Sequence, residues 1–193
     1  MTSLFMKAKI PFISPVYDSL KQLWAAREIV VNPVLTYIFF LKPSILGRDF
    51  LCRFKLKEMN ISARSVDWLG INEVMIDGEY DSVLCVLKEL EHPVVCDLGA
   101  NIGAFSIQAF SHNRTAKVYA LEPSLSTWQV LKKNQQENPA LNWRIYRYAV
   151  WNRSGEVGFD DNPNASTTSH LNQTIIDNTV PSIRLKEFIH QFV

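Results

Sequence analysis

The spacing of apolar side chains changes character at Pro93. Beyond it, short apolar runs alternate with segments that repeat at helical spacing. Val94 to Leu98 reads as a buried strand, Gly103 to about Ser111 as a helix, and Ala116 to Leu121 as a second strand. Ser126 to about Glu137 reads as a helix with Trp128 and Leu131 on one side, and Trp143 to Val150 as a third strand. Strands alternating with helices predict a parallel sheet covered on both faces, with right-handed crossovers. The chain then turns at Gly155, "EVGF" predicts a short strand, and Asp160 to Asn172 is a polar loop. After Pro181, the side chains of Leu185, Phe188, Ile189 and Phe192 form a one-sided apolar stripe.

Before Pro93 the pattern is less regular. Ser14-Pro15 predicts a helix start, followed by Tyr17, Leu20, Leu23 and Trp24 at helical spacing. From Asp49 to Ile76, apolar and β-branched residues interleave with polar ones, which predicts short strands with turns near Asn60 and Gly70. Asp77-Gly78 signals a turn. Asp81 is placed to cap a helix that turns Leu84, Leu87 and Leu90 inward. The expected organisation is an α+β extension over residues 1–78 and a Rossmann-like domain over residues 79–193.

Composition narrows the picture. A chain of 193 residues with 47% hydrophobic and 20% charged residues is ordinary for a globular protein. A net charge of +1 gives no electrostatic reason for a nucleic-acid partner. Cys52, Cys85 and Cys96 lack metal-ligand spacing; an odd count with one cysteine in a core strand predicts reduced thiols, a cytoplasmic location and no metal. The longest greasy segment, Ile29 to Leu41, is broken by Asn32 and Pro33. It falls short of the ~20 apolar residues a spanning helix needs, so it is expected to face a core. No signal peptide is evident, so the five N-glycosylation sequons, at Asn60, Asn113, Asn152, Asn164 and Asn172, carry no weight.

The candidate chemistry lies in "VVCDLGANIGAFSIQAF". Ligands of open parallel sheets bind beyond the carboxyl ends of the strands, and Asp97 to Gly103 leaves such an end and enters a helix. Gly99 permits a sharp turn. Gly103 is expected to let the helix start pack closely and to leave room for a ligand. The helix N-terminus offers free N–H groups. A dinucleotide loop would read G-x-G-x-x-G; here the order is D-x-G-x-x-x-G, and Asp97 would set a negative charge beside the phosphates. A ligand with an amino group and a positive charge suits it better, which favours S-adenosylmethionine over a nicotinamide cofactor. "VYALEPS" ends its strand in Glu122, placed to accept hydrogen bonds from the two ribose hydroxyls of an adenosyl group.

Together, "VVCDLGANIGAFS", "VYALEPS" and "YAVWNRSGEVGF" resemble the FkbM-type S-adenosylmethionine-dependent methyltransferases, from about Glu79-Tyr80 to Leu185. The resemblance implies a Rossmann-like fold and O-methylation of a hydroxyl on a sugar or secondary metabolite. It makes Asp97, Gly99, Asn101 and Gly103 the methionine and loop contacts. Glu122 becomes the ribose carboxylate, and Ala149 a neighbour of the adenine edge. Asn134 falls where such proteins often have an asparagine, which implies a structural role. No general base is identified; His170 and His190 are weak candidates.

In the family, "VPSIRLKEF" resembles the segment before a fourth strand with a "K-I-D-x-E-G" type motif, and this sequence ends first. The sheet is therefore expected to be incomplete, with Val94 to Leu98 as an edge. Such a chain would be a shortened methyltransferase, would be completed by a homo-oligomeric or complementing partner, or would be an inactive cofactor-binding or interaction protein. The expectation is weak cofactor binding and no turnover by the isolated chain.

Overall fold

The computed structural model describes residues 51–162, 170–171 and 178–193. The expected helix after Ser14, the apolar segment at 29–41 and most of the polar loop at 160–172 lie outside them. The first element is a hairpin of β1 (Leu51–Leu56) and β2 (Met59–Arg64), closed at the Leu56–Met59 pair. Its turn is at Lys57, which adopts φ +53°, so Asn60 lies inside β2 instead of at a turn.

The expected strand and turn around Gly70 are replaced by helix. A 3-10 turn (Ser65–Asp67) runs into α1 (Trp68–Ile71) and then a π turn (Asn72–Ile76). The cause is local. The buried Asp67 carboxylate accepts from Arg64 N at 2.8 Å and pairs with the Arg64 guanidinium at 2.8 Å. That reciprocal cap starts a helix which β-branched content alone does not predict.

Helix α2 (Asp81–Glu89) follows. Leu84 and Leu87 are buried as expected, but Leu90 lies past the helix end and is exposed. Asp81 is the first helical residue and does not cap by its side chain; Tyr80 holds the cap position.

The parallel sheet is β3 (Val94–Leu98), β4 (Lys117–Leu121) and β5 (Trp143–Tyr146), in that order, with Asp97 beside Ala120 and Leu98 beside Leu121. Helices α3 (Ala104–His112) and α4 (Leu125–Gln136) are the crossovers. The expected third strand breaks after Tyr146. Ala149–Val150 forms β6, which joins a second sheet with β7 (Gly155–Asp160), β8 (His170–Leu171) and β9 (Thr179–Ile183), in the order β6-β9-β7-β8. The break lets Tyr146 meet Phe188 edge-to-face and Phe192 at a tilt while Ala149 packs with Val157, Phe159 and Val180. Pro181 lies within β9, and α5 (Leu185–Phe192) carries the terminal stripe. Of that stripe only Phe188 is fully buried.

Strand β4 is the axis of the core: Val118, Tyr119, Ala120 and Leu121 are fully buried. On one face Val118 and Ala120 pack with Ile107 and Phe110 of α3, Leu131 of α4, and Phe54 and Ile61 of the hairpin. On the other face Tyr119 and Leu121 meet Ile183 and Phe188. Each large apolar side chain so buried contributes roughly 1.5–3 kcal/mol. The hairpin therefore shares one core with the α/β sheet, and helices cover both faces.

Two side-chain amides, one on α4 and one just past its end, hold the hairpin. Asn134 is fully buried. Its Oδ1 accepts from Ser62 N at 2.6 Å, and its Nδ2 donates to Ser62 O at 3.0 Å and to Ile102 O at 2.8 Å. Asn138 repeats the pattern one turn later, accepting from Asn60 N at 2.9 Å and donating to Asn60 O at 2.7 Å. Replacing Asn134 by Ala strands three buried backbone groups. We expect Asn134→Ala to lose about 3 kcal/mol or more, read as the urea midpoint of the full chain. Wild-type stability in that variant would show that the clasp is dispensable.

Candidate functional site

The loop after β3 is shaped by its backbone bonds before any ligand arrives. Gly99 N and Ala100 N both donate to Leu121 O at 2.9 Å, which folds the loop over the end of β4. Gly99 adopts φ +75°, and a Cβ built on it meets nothing within 4 Å, so its glycine serves conformation on an open side. Asn101 follows at φ +52°, a region that Asn tolerates better than most residues. Gly103 adopts φ +89°, but a Cβ there would lie 2.5 Å from Trp143 and 2.8 Å from Leu131. The expectation for Gly103 is thus half met: it allows close packing of the helix start, and the space it leaves is filled by core side chains.

Glu122 fixes the loop electrostatically. One carboxylate oxygen accepts from Asn101 N at 2.9 Å and the other from Ser124 N at 2.9 Å. Ser124 caps α4 and donates its hydroxyl to Asp161 at 2.9 Å. Asp97, at the tip of the neighbouring strand, accepts from Ser106 Oγ of α3 at 2.6 Å. Both carboxyls are buried. Desolvation dominates in each and outweighs the hydrogen bonds that favour the anion. Asp97 is pushed up to about 6 and Glu122 to about 7, the latter also through the nearby charges of Asp161 and Asp97.

These groups open into one cleft of about 560 Å³ beyond the carboxyl ends of β3 and β4, a size within the usual range of small-molecule sites. Asp97, Gly99, Asn101 and Glu122 line it; Gly103 and Ala149 do not. Ala149 is buried in the second sheet, beside Ser182 of β9. His170 and His190 are also absent from the lining. His170 lies in β8 and faces Asp160 at 3.8 Å.

Sequence reasoning did not find Glu73, Tyr80 and Phe105, which complete the cleft. Tyr80 and Phe105 form a tilted ring pair with centroids 5.0 Å apart. Glu73 reaches the cleft through the π turn that replaces the expected strands, Tyr80 from the cap of α2, and Phe105 from the first turn of α3, where the glycine motif includes it without marking a role for its ring. Among the described lining residues there is no lysine, arginine or histidine. The described residues hold no group of three or more side chains suited to a metal, and none of their helices is long and apolar enough to cross a membrane. Two desolvated carboxyls without a lining cation make a site that favours a positively charged ligand.

No family model matches the chain. The chain is 30% identical over 113 residues to hexuronic acid methyltransferase AglP of Haloferax volcanii, a match that covers 58% of this chain and 46% of that protein. It thus spans under half the length of that relative. Among solved structures it is similar to precorrin-6y C5,15-methyltransferase from Geobacter metallireducens, with a TM-score of 0.30, 23% identity, and coverage of 35% of this chain and 37% of that one. It is also similar to an S-adenosylmethionine-dependent methyltransferase from Agrobacterium tumefaciens, with a TM-score of 0.36, 14% identity, and coverage of 50% and 32%.

Proposed function

We propose that the chain belongs to an S-adenosylmethionine-dependent methyltransferase of the FkbM type, which acts in the cytoplasm on a hydroxyl of a sugar or secondary metabolite. One observation carries this reading. Buried carboxyls on the tips of two adjacent parallel strands face one cleft whose described lining lacks a cation. The similarity to a sugar-acid methyltransferase over 113 residues supports the same class.

In this reading Asp97 meets the ammonium end of the donor and Glu122 its ribose. Each Glu122 oxygen is engaged by one backbone N–H and keeps a lone pair for a ribose hydroxyl. Gly99 and Asn101 shape the loop against the methionine. Gly103 acts through packing, and Ala149 supports the adenine end from the second sheet without lining the cleft. S-adenosylmethionine supplies an electrophilic methyl on a sulfonium. The protein's contribution is to hold donor and acceptor in line, where positioning alone lowers the barrier greatly.

Two tests follow from the carboxyls. S-adenosylmethionine and S-adenosylhomocysteine are expected to raise the melting temperature of the full chain, and NADH is not. Glu122→Gln should weaken either ligand by about 1.5–3 kcal/mol, the range for charge-assisted hydrogen bonds. A shift with NADH alone would reverse the cofactor assignment.

The second test uses pH. Asp97 and Glu122 have folded values of about 6 and about 7, above their ordinary 3.8 and 4.5. Raised carboxyls contribute stability that is complete below the ordinary values and is lost as pH rises through the folded ones. The ligand-free chain is therefore expected to lose urea resistance between pH 5 and 8, measured as a midpoint shift. A cationic donor favours the anions, so its binding near pH 6.5 should release protons, seen as a calorimetric heat that depends on buffer ionisation enthalpy. Uptake of protons on binding would contradict the site's electrostatics.

A further inference from the structure

The cleft holds one carboxylate that the donor reading does not use. The described ionisable lining groups of the whole cleft are Glu73, Tyr80, Cys96, Asp97 and Glu122. Asp97 is held by Ser106, and Glu122 by two backbone N–H groups. Burial pushes the Cys96 thiol up, away from the thiolate. Glu73 is half-buried and sits on the π turn, which closes through Asp77 N donating to Asn72 O at 2.8 Å. A π turn is a rare conformation that recurs at functional sites. Here it brings a carboxylate to the wall of the cleft, which Tyr80, Val83 and Phe105 also line. Aromatic and aliphatic faces suit the C–H face of a sugar ring, and a carboxylate suits its hydroxyls.

We propose that Glu73 binds the acceptor hydroxyl and takes its proton, and that the acceptor is an uncharged saccharide or polyol. This rests on the methyltransferase reading above. The hydroxyl oxygen forms a bond to the sulfonium methyl carbon as the carbon–sulfur bond breaks. That electron pair returns to sulfur to give the thioether, and the hydroxyl proton passes to the Glu73 carboxylate. An acceptor with its own carboxylate would add a fourth carboxyl to a cleft that already holds Glu73, Asp97 and Glu122, and like charges brought together in a confined site repel strongly. The acceptor class therefore differs from the hexuronic acid in the name of the archaeal relative.

The test uses the full chain saturated with S-adenosylhomocysteine and titrated with methyl β-glucoside or with glucuronate. The glucoside is expected to bind at least about tenfold more tightly than glucuronate. Glu73→Gln should weaken the glucoside about tenfold, narrow the gap to glucuronate, and leave the S-adenosylhomocysteine affinity within about twofold. Where the wild-type chain methylates the glucoside with labelled S-adenosylmethionine, the same variant should lower kcat by about 10²–10⁴, with a smaller change in KM. The wild-type comparison of the two saccharides stands even where the variant fails to fold. Equal binding of both saccharides, binding of neither, unchanged methylation in the variant, or loss of donor affinity in the variant each overturns the proposal while the donor site stands. A wild-type chain that binds no S-adenosylhomocysteine overturns the donor site itself, and the acceptor assignment with it.

Discussion

The arrangement rests on a helix that imitates a strand. Asn134 on the last turn of α4 and Asn138, two residues past its end, are four residues apart, and the helical backbone of Glu137 keeps them about one turn, roughly 6 Å, apart along the axis. Asn60 and Ser62 are two apart on β2, a rise of about 6.8 Å. The two spacings nearly agree, so each of the two side-chain amides can pair with the N–H and C=O of one residue of β2. The free edge of the hairpin is thereby completed by side chains instead of a third strand, which removes buried, unpaired backbone groups. Asn134 has one donor left after serving Ser62, and it spends that donor on Ile102 O in the loop after β3. Hairpin, helix and loop are fixed by a single side chain.

That connection matters for chemistry because the loop carries the cleft. Its far end is tied by Glu122 through Asn101 N, and its near end by Gly99 N and Ala100 N on Leu121 O. Three independent anchors leave little freedom between Asp97 and Gly103. The cost appears in the carboxyls, which are desolvated without a counter-charge and hold protons to about pH 6 and pH 7. A loop so constrained cannot move away to rehydrate them, so the strain persists until a cation or a proton arrives. Rigidity and a displaced titration are thus two consequences of one packing arrangement, and both favour a ligand that brings positive charge.

Much of the sheet was legible because its signals are local. The runs at Val94 and Ala116, the stripe of α4 and the order D-x-G-x-x-x-G each depend on neighbours in sequence, and the three-stranded parallel order follows from them. The convergence of Asp97 and Glu122 was legible for the same reason, since strand tips of a parallel sheet face one side. What failed depended on partners far away or on side-chain caps. The helix from Ser65 is started by an Arg64–Asp67 bond that no periodicity shows. The break after Tyr146 reflects a choice of partner, β9, which lies over 30 residues later. Gly103 was read from the motif as a ligand contact, whereas its neighbours are Trp143 and Leu131, residues that only the packed structure brings to it. Glu73 was invisible because its segment was read with the wrong period.

The two faces of β3 divide the labour of the site. Among the described residues β3 pairs on one side only, with β4. Val95 turns towards the cores formed with the hairpin, α2 and α3, and Asp97, on the same face, is bonded to α3 through Ser106. Val94, Cys96 and Leu98 turn the other way; there Cys96 meets the Tyr119 cluster while Val94 and Leu98 stay exposed at 55% and 43%. The Asp97 carboxyl is therefore anchored to the closed face, through a contact that does not involve the open edge. Leu98 and Cys96 also line the cleft, so the open edge is where the cleft meets solvent. In the proposed reading, enclosure of the donor depends on what lies along that edge, whereas its orientation is set by Asp97, Glu122 and the loop between them.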